Sequence, residues 1–170
     1  NESTTAVDSI YVSYKGTLLK NTQFDYSETP VWFQLENVVA GWGEIIPLFK
    51  TGTFDTAPGP NPSTFSNFGA GVMFLPSGLA YFASGSGSIP SYSPLVFSFK
   101  LYEIQRADQD GDGIPSYLED LNGDGYMYDF RNKVSYPITP TVNPDDTDGD
   151  GFPNHVDVDD DGDNFTTRLE

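Results

Sequence analysis

The chain has 170 residues, 25 Asp+Glu against 8 Lys+Arg, a formal charge of −17 and no cysteine. That charge argues against a nucleic-acid binder, because a phosphate backbone needs a basic face, and no apolar run approaches the roughly 20 residues that span a bilayer. The missing cysteines exclude a disulfide scaffold, a thiolate metal site and a cysteine nucleophile, and leave the redox compartment open. Residues 1–105 carry a net charge of −4 and residues 106–170 a net of −13, so composition changes near Arg106. Two modules are expected, 1–105 and 106–170.

In the first module, β-branched and aromatic runs at Ser9–Tyr14, Val31–Leu35, Gly71–Leu75 and Leu95–Ile104 read as strands. Alternation is clearest in Val96–Tyr102, where Phe97, Phe99 and Leu101 share one face. Lys20-Asn21 and the Pro/Gly/Ser segment 51–67 read as turns. Residues 37–49 read as a helix, because Trp42, Ile45, Ile46 and Phe49 recur at helical spacing, although two glycines and Pro47 weaken it. Several strands and one short helix make an α+β domain whose sheet packs on that helix. The segment 55–69, with Pro58, Pro60 and Pro62, is expected to be an ordered surface loop held by Phe65 and Phe68.

Five blocks also carry a resemblance: Val12-Ser13-Tyr14-Lys15-Gly16, Phe24-Asp25, Val38-Val39-Ala40-Gly41-Trp42, Leu75-Pro76-Ser77-Gly78-Leu79-Ala80-Tyr81, and Ile89-Pro90 with Leu95-Val96-Phe97. In this order, over most of residues 9–105, they resemble an FKBP-type peptidyl-prolyl cis-trans isomerase. The resemblance implies a twisted antiparallel sheet curled around one short helix, with a prolyl pocket between them. It implies that Tyr14, Phe24, Asp25, Val38, Val39, Trp42, Tyr81, Ile89 and Phe97 line that pocket. Trp42 would be its floor, and Trp42, Phe24, Phe97 and Tyr14 would hold the pyrrolidine ring. The Tyr81 hydroxyl and the Val39 backbone N–H would hold substrate carbonyls, and Asp25 would orient Tyr14. Proline-containing clients, and a macrolide-type pocket ligand, are the implied partners; no organic cofactor is implied. The residue types suit the chemistry. Twisting the amide removes its resonance, and a twisted amide is less polar than a planar one, so a dry aromatic cleft favours it.

The sequence departs from the family in several places. Val31 stands where another aromatic pocket residue is common, and Gly85 and Ser86 stand in the flap where some members place a histidine. The flap, 83–94, is short, which argues against a chaperone-type insertion. The family's first strand should precede Ser9, so the natural chain is expected to extend upstream of Asn1.

The second module is the most explicit. Asp108, Asp110, Asp112, Gly113 and Glu119 match the calcium-loop pattern D-x-[DN]-x-[DN]-G-x5-E, with the Ile114 carbonyl at its seventh position. Asp120, Asn122, Asp124 and the Tyr126 carbonyl begin a second loop, whose twelfth residue is Arg131. Asp129 or an acid from a neighbouring loop must therefore close it. Asp146, Asp148, Asp150, the Phe152 carbonyl and Asp157 make a third loop. Asp159, Asp161, Asp163, the Phe165 carbonyl and Glu170 make a fourth, in which Asn164 replaces the glycine. The two pairs are separated by residues 132–143. His155 falls at a non-ligand position and is expected to face solvent. Pro115 and Pro153 suit a short helical turn after each glycine turn. These loops are similar to thrombospondin type 3 repeats, which implies structural calcium and little hydrophobic core.

The expectation is an extracytoplasmic peptidyl-prolyl isomerase, in the periplasm or at the cell surface of a bacterium, with a calcium-rigidified extension and a lipid anchor upstream of residue 1. The alternative is a non-catalytic module of the cell envelope that binds proline segments or serves structure and adhesion.

Overall fold

Period-two patterning builds the sheet. In the computed structural model, which describes residues 1–55, 64–133 and 136–169, the strands are β1 (Ser9–Leu18), β2 (Gln23–Gln34), β3 (Thr53–Asp55), β4 (Thr64–Ser66), β5 (Gly69–Leu75) and β6 (Leu95–Gln105). An antiparallel sheet runs in the order β2-β1-β6-β5, and β3 pairs with β4 beside it. Phe97, Phe99 and Leu101 of β6 are all buried, as the alternation predicts. β6 lies between β1 and β5, so Phe97 stands opposite Gly16 on one side and Met73 on the other. The turn between β1 and β2 uses Asn21 at φ 61°, a conformation that asparagine tolerates better than most residues.

The helix expected over 37–49 is shorter. α1 covers Ala40–Ile45 and is preceded and followed by 3₁₀ turns at Leu35–Asn37 and Ile46–Leu48. Pro47 explains the stop: it has no N–H for a fourth-residue bond, and it sits at the start of the following turn, where that donor is not needed. Helical spacing still places Trp42 and Ile46 in the core, which continues through Ile10, Val12, Leu75 and Leu95. Gly41 lets α1 lie on β5, because a Cβ there would come within 2.5 Å of Leu75 Cδ2. The described architecture is the α+β arrangement of an antiparallel sheet around one short helix.

The segment 51–67, expected as turn material, contributes β3 and β4. Phe65 and Phe68 pack on Tyr102 with ring centroids at 5.3 and 4.9 Å, so the outer face of the sheet is covered by aromatics. Pro58, Pro60 and Pro62 lie outside the described residues. Upstream of β1, Ser3 forms a bridge with Lys50, and the Thr51 N–H donates to the Glu2 carbonyl at 2.9 Å.

Residues beyond β6 return to the first module. Arg106 Nη1 donates to Asp8 Oδ2 at 2.7 Å, and Nη2 donates to the Ser3 carbonyl at 2.9 Å. The Ala6 N–H donates to the Gly125 carbonyl at 2.9 Å. The Tyr126 hydroxyl donates to the Glu44 carbonyl at 2.9 Å, and Met127 is buried. Among the described residues, no helix is long and apolar enough to cross a membrane.

The Asp8 side chain is fully buried, and Arg106 is the cation that meets it. Removing one partner of such a pair leaves an uncompensated charge. Arg106→Ala is expected to lower stability by roughly 3 kcal/mol, measured by urea unfolding in calcium-containing buffer.

Candidate functional site

A cleft of ≈ 1040 Å³ opens between α1 and the sheet. Trp42, carried on α1, lies beneath it and is met edge-on by three rings: Phe97 at 5.3 Å, Tyr14 at 5.6 Å and Phe33 at 5.9 Å. Phe24 adds an edge contact to Phe97 at 5.5 Å. Successive residues of a strand normally point to opposite faces, yet Phe24 and Asp25 both line the cleft. The pairing of β1 with β2 shifts register between Gly16 and Thr17, and a bulge of this kind turns an extra side chain inward. Gly16 is the matching concession on β1, since a Cβ there would lie 2.6 Å from Phe24 and 2.8 Å from Phe97.

At the edge of the cleft the Tyr14 hydroxyl donates to Asp25 Oδ2 at 2.6 Å. Burial, then the Asp25 hydrogen bond and charge, hold the phenol well above its usual range, so it stays a donor. Val38, Val39 and Tyr81 also line the cleft. Val39 caps α1 in an extended conformation, and its carbonyl accepts the Trp42 N–H at 2.9 Å.

Eight of the nine residues expected in the pocket line it; the exception is Ile89, which packs in the core instead. Val31 does not line the cleft, and Phe33, two residues along the same face of β2, supplies the aromatic wall. The signal for Phe33 was present in the period of the strand. Phe82, at φ 42°, lines the mouth and packs against Tyr92 of the flap at 5.3 Å. Tyr136 and Pro137 complete the far side. They come from the second module, out of a segment read as a spacer.

The acidic loops share a hydrogen-bond pattern. The first carboxylate of three loops accepts the N–H of the fourth residue, Asp108 from Gly111, Asp120 from Gly123 and Asp146 from Gly149 at 2.8–2.9 Å; in the last loop Asp159 accepts instead from the sixth residue, Asn164, at 2.8 Å. The residue at the fifth position accepts from the seventh, as in Asp124 from Tyr126 at 2.7 Å and Asp150 from Phe152 at 2.8 Å. The glycine positions are left-handed, and Asn164 takes the same conformation at φ 73°. Carboxylate oxygens of Asp108, Asp110 and Asp112 lie within 4.8 Å of one another, as do those of Asp146, Asp148 and Asp150, and of Asp159, Asp161 and Asp163. A single 3₁₀ turn follows Pro115 and another follows Pro153.

Several acidic side chains of these loops are buried, with oxygens that have no hydrogen-bond partner among the described residues. Glu119 is 3% exposed, and both of its carboxylate oxygens are buried without a hydrogen-bond partner. Burial, then Asp110 and Asp160, push it up to about 8. Asp160, absent from the sequence pattern, stands beside Asp112 and Asp110 with Oδ1 unpartnered. For the second loop the sequence leaves Asp129 or an acid from a neighbouring loop as its closing carboxylate. Arg131 grips both Asp129 oxygens at 2.8 Å. Asp145 stands near Asp120 and Asp124 instead; its Oδ1 accepts the Leu121 N–H at 3.0 Å, and its buried Oδ2 is unpartnered. Asp157 lies between the third and fourth loops, near Asp150 and Asp159. The Asn122 side-chain Oδ1 accepts the Asp124 N–H at 2.8 Å. Asp161 and Asp163 accept backbone N–H groups of their own loop, leading to Phe165, while Glu170 lies outside the described residues. His155 does not face solvent: it is 1% exposed, and burial lowers it to about 4, so it is neutral.

Residues 1–102 match the family model of the FKBP-type peptidyl-prolyl cis-trans isomerase, and residues 109–170 match that of the BamM C-terminal family. The chain belongs to the FKBP-type peptidyl-prolyl cis-trans isomerase family. It is 38% identical over 110 residues to the FKBP-type peptidyl-prolyl cis-trans isomerase FkpA of Aeromonas hydrophila, covering 63% of this chain and 35% of that protein. It is 32% identical over 104 residues to the outer membrane protein MIP of Legionella longbeachae, covering 59% of this chain and 38% of that protein. A crystal structure of a peptidyl-prolyl cis-trans isomerase from Pseudomonas syringae superposes with a TM-score of 0.50 at 28% identity, over 62% of this chain and 68% of that one. The chain spans about a third of the length of the curated relatives it matches.

For this isomerase-family cleft, Gly16→Ala is expected to part Phe24 from Phe97 and lower stability by about 1–3 kcal/mol. Gly78→Ala, whose added Cβ meets nothing within 4 Å, is the control and is expected to change little. Urea unfolding of both variants checks this.

Proposed function

We propose that the chain catalyses cis-trans isomerisation of X-Pro bonds in extracytoplasmic protein clients, and that bound calcium rigidifies residues 106–170. The observation that carries the first part is the open aromatic cleft over Trp42 with the Tyr14–Asp25 pair at its edge. The barrier near 20 kcal/mol is lost amide resonance. No nucleophile or proton shuttle is needed to lower it. Phe24, Phe97 and Tyr14 hold the pyrrolidine and exclude water, so the less polar twisted amide is favoured over the planar ground state. The Tyr14–Asp25 hydrogen bond fixes one wall and sets a negative charge beside the amide. The Val39 N–H and Tyr81 hydroxyl hold flanking carbonyls. A macrolide-type molecule fits the same cleft as a competitive ligand.

Calcium is supported by four loops that share the bond from the seventh N–H to the fifth carboxylate, and by the orphaned buried oxygens of Glu119, Asp112 and Asp145. Asp108, Asp110, Asp112, the Ile114 carbonyl and Glu119 would hold one ion, joined by Asp160. Asp120, Asn122, Asp124, the Tyr126 carbonyl and Asp145 would hold another. Asp146, Asp148, Asp150, the Phe152 carbonyl and Asp157 would hold a third, with Asp159, Asp161, Asp163 and the Phe165 carbonyl around a fourth. All-oxygen cages of six to eight ligands suit calcium better than magnesium, which keeps its waters. Sites of modest affinity fill where calcium is millimolar, which favours a location outside the cytoplasm.

Two outcomes check this reading. Asp25→Val removes a charge-assisted hydrogen bond worth about 1.5–3 kcal/mol, so kcat/KM on a proline peptide is expected to fall roughly ten- to hundredfold. Trp42→Leu is expected to do at least as much. A folded wild-type protein that leaves the peptide at its uncatalysed rate supports the non-catalytic binding reading instead.

Chelation gives the second. Without metal, Glu119 sits at about 8, and Asp145 and Asp160 at about 6, in each case through burial first and neighbouring carboxylates next. A carboxyl whose folded pKa is raised stabilises the fold fully below its unfolded value near 4, and that contribution is lost as pH rises through the folded value. The urea midpoint of the chelated protein is therefore expected to fall from about pH 4 to about pH 8. Saturating calcium is expected to abolish that fall.

A further inference from the structure

A second cavity of ≈ 250 Å³ lies between the two modules. It shares Val38, Ala40, Glu44 and Tyr136 with the prolyl cleft, so the two spaces are contiguous. At ~30 Å³ per water it would hold about eight waters, the scale of one long side chain rather than of a second peptide.

Its walls are aromatic and acidic. Tyr126 and Tyr128 stack with centroids 6.0 Å apart and planes at 6°, and Tyr136 stands edge-on to Tyr128 at 5.2 Å. Glu36, Glu44 and Asp129 line the same space, and among the described residues no lysine or arginine lines either cavity. Asp129 already has its cation in Arg131. Among the described residues, the partner of Glu36 is the neutral Gln109 amide, which donates to it at 2.5 Å. Its carboxyl is held above the usual range by burial and by the Asp129 charge, so a positive group beside it would be favoured. Glu44 meets the second module through its backbone carbonyl, not through its carboxylate.

Two carboxylates without a cation, beside three tyrosine rings, form a receptor for an ammonium or guanidinium group, which gains from both the charge and the ring faces. We propose that this cavity is an accessory subsite taking the Lys or Arg side chain that flanks the target proline of a client. The inference rests on the isomerase reading and adds what that reading lacks, a chemical preference outside the prolyl ring. The net charge of −17 adds long-range attraction for such segments.

The test uses the calcium-loaded full chain and short peptides with one proline, in which Lys or the uncharged Met is placed in turn at each position near it. At one position kcat/KM is expected to favour Lys over Met roughly tenfold at low salt. High salt and Glu36→Gln with Glu44→Gln are each expected to bring that ratio towards one. Tyr136→Leu keeps both carboxylates and removes a ring, and is expected to lower the ratio in part. Equal rates for Lys and Met at every position, or a preference unchanged in the double variant, overturn the subsite. Turnover of the Met peptide reports separately on the isomerase reading. If it is absent, that reading fails, and the same Lys/Met comparison is made by calorimetric binding, where equal affinities overturn the subsite.

Discussion

Carboxylate repulsion is the constraint on which the second half of this molecule depends. Seventeen acids fall within residues 106–170, and several are folded inward rather than left to solvent. Glu119 is the extreme, with two buried and unpartnered oxygens facing Asp110, Asp112 and Asp160. A hydrophobic core does not offset this, for among the described residues there the buried apolar side chains are Met127 and Pro153. Protons or cations must do so. The proposed divalent ions would do it with the geometry that the left-handed glycines and repeated carboxylate-to-N–H bonds preorganise.

The same constraint reaches the cleft. Tyr126, whose carbonyl is proposed as a ligand in the second loop, donates its hydroxyl to the Glu44 carbonyl on α1. Its ring stacks on Tyr128, which meets Tyr136, and Tyr136 lines the cleft. The helix that carries Trp42 is thus joined, through three tyrosines, to the second acidic loop. Arg106 on Asp8 and Ala6 on Gly125 fasten the seam elsewhere. A segment that reads as a spacer between loop pairs becomes a wall of the binding surface.

Legibility followed the range of the forces involved. Strands were readable from alternation, because one buried face imposes a period of two, and β6 shows it residue by residue. The helix was over-extended because apolar spacing persists through Ile45, Ile46 and Phe49, while the missing N–H of Pro47 ends the α-helical bonding. β3 and β4 were hidden by Gly/Pro/Ser-rich composition and are held by Phe65 and Phe68 against Tyr102, a tertiary effect. In the cleft, eight of the residues named by family spacing line the space, while Ile89 lies in the core, which is equally compatible with its position in sequence. Loop spacing gave the carboxylates within each loop. It could not give Asp145 and Asp160, which approach their neighbours across loops, or the burial of His155.

Backbone hydrogen exchange, residue by residue, in saturating calcium and again in chelator, tests most directly whether bound ions fasten the second module to the cleft. In calcium, the amides of Ala6 and Tyr126 are expected to be protected along with those of β1 and β6. In chelator, Ala6, Tyr126 and the loop amides should exchange freely while the sheet stays protected. Protection of Ala6 and Tyr126 that is the same with and without calcium would contradict the account.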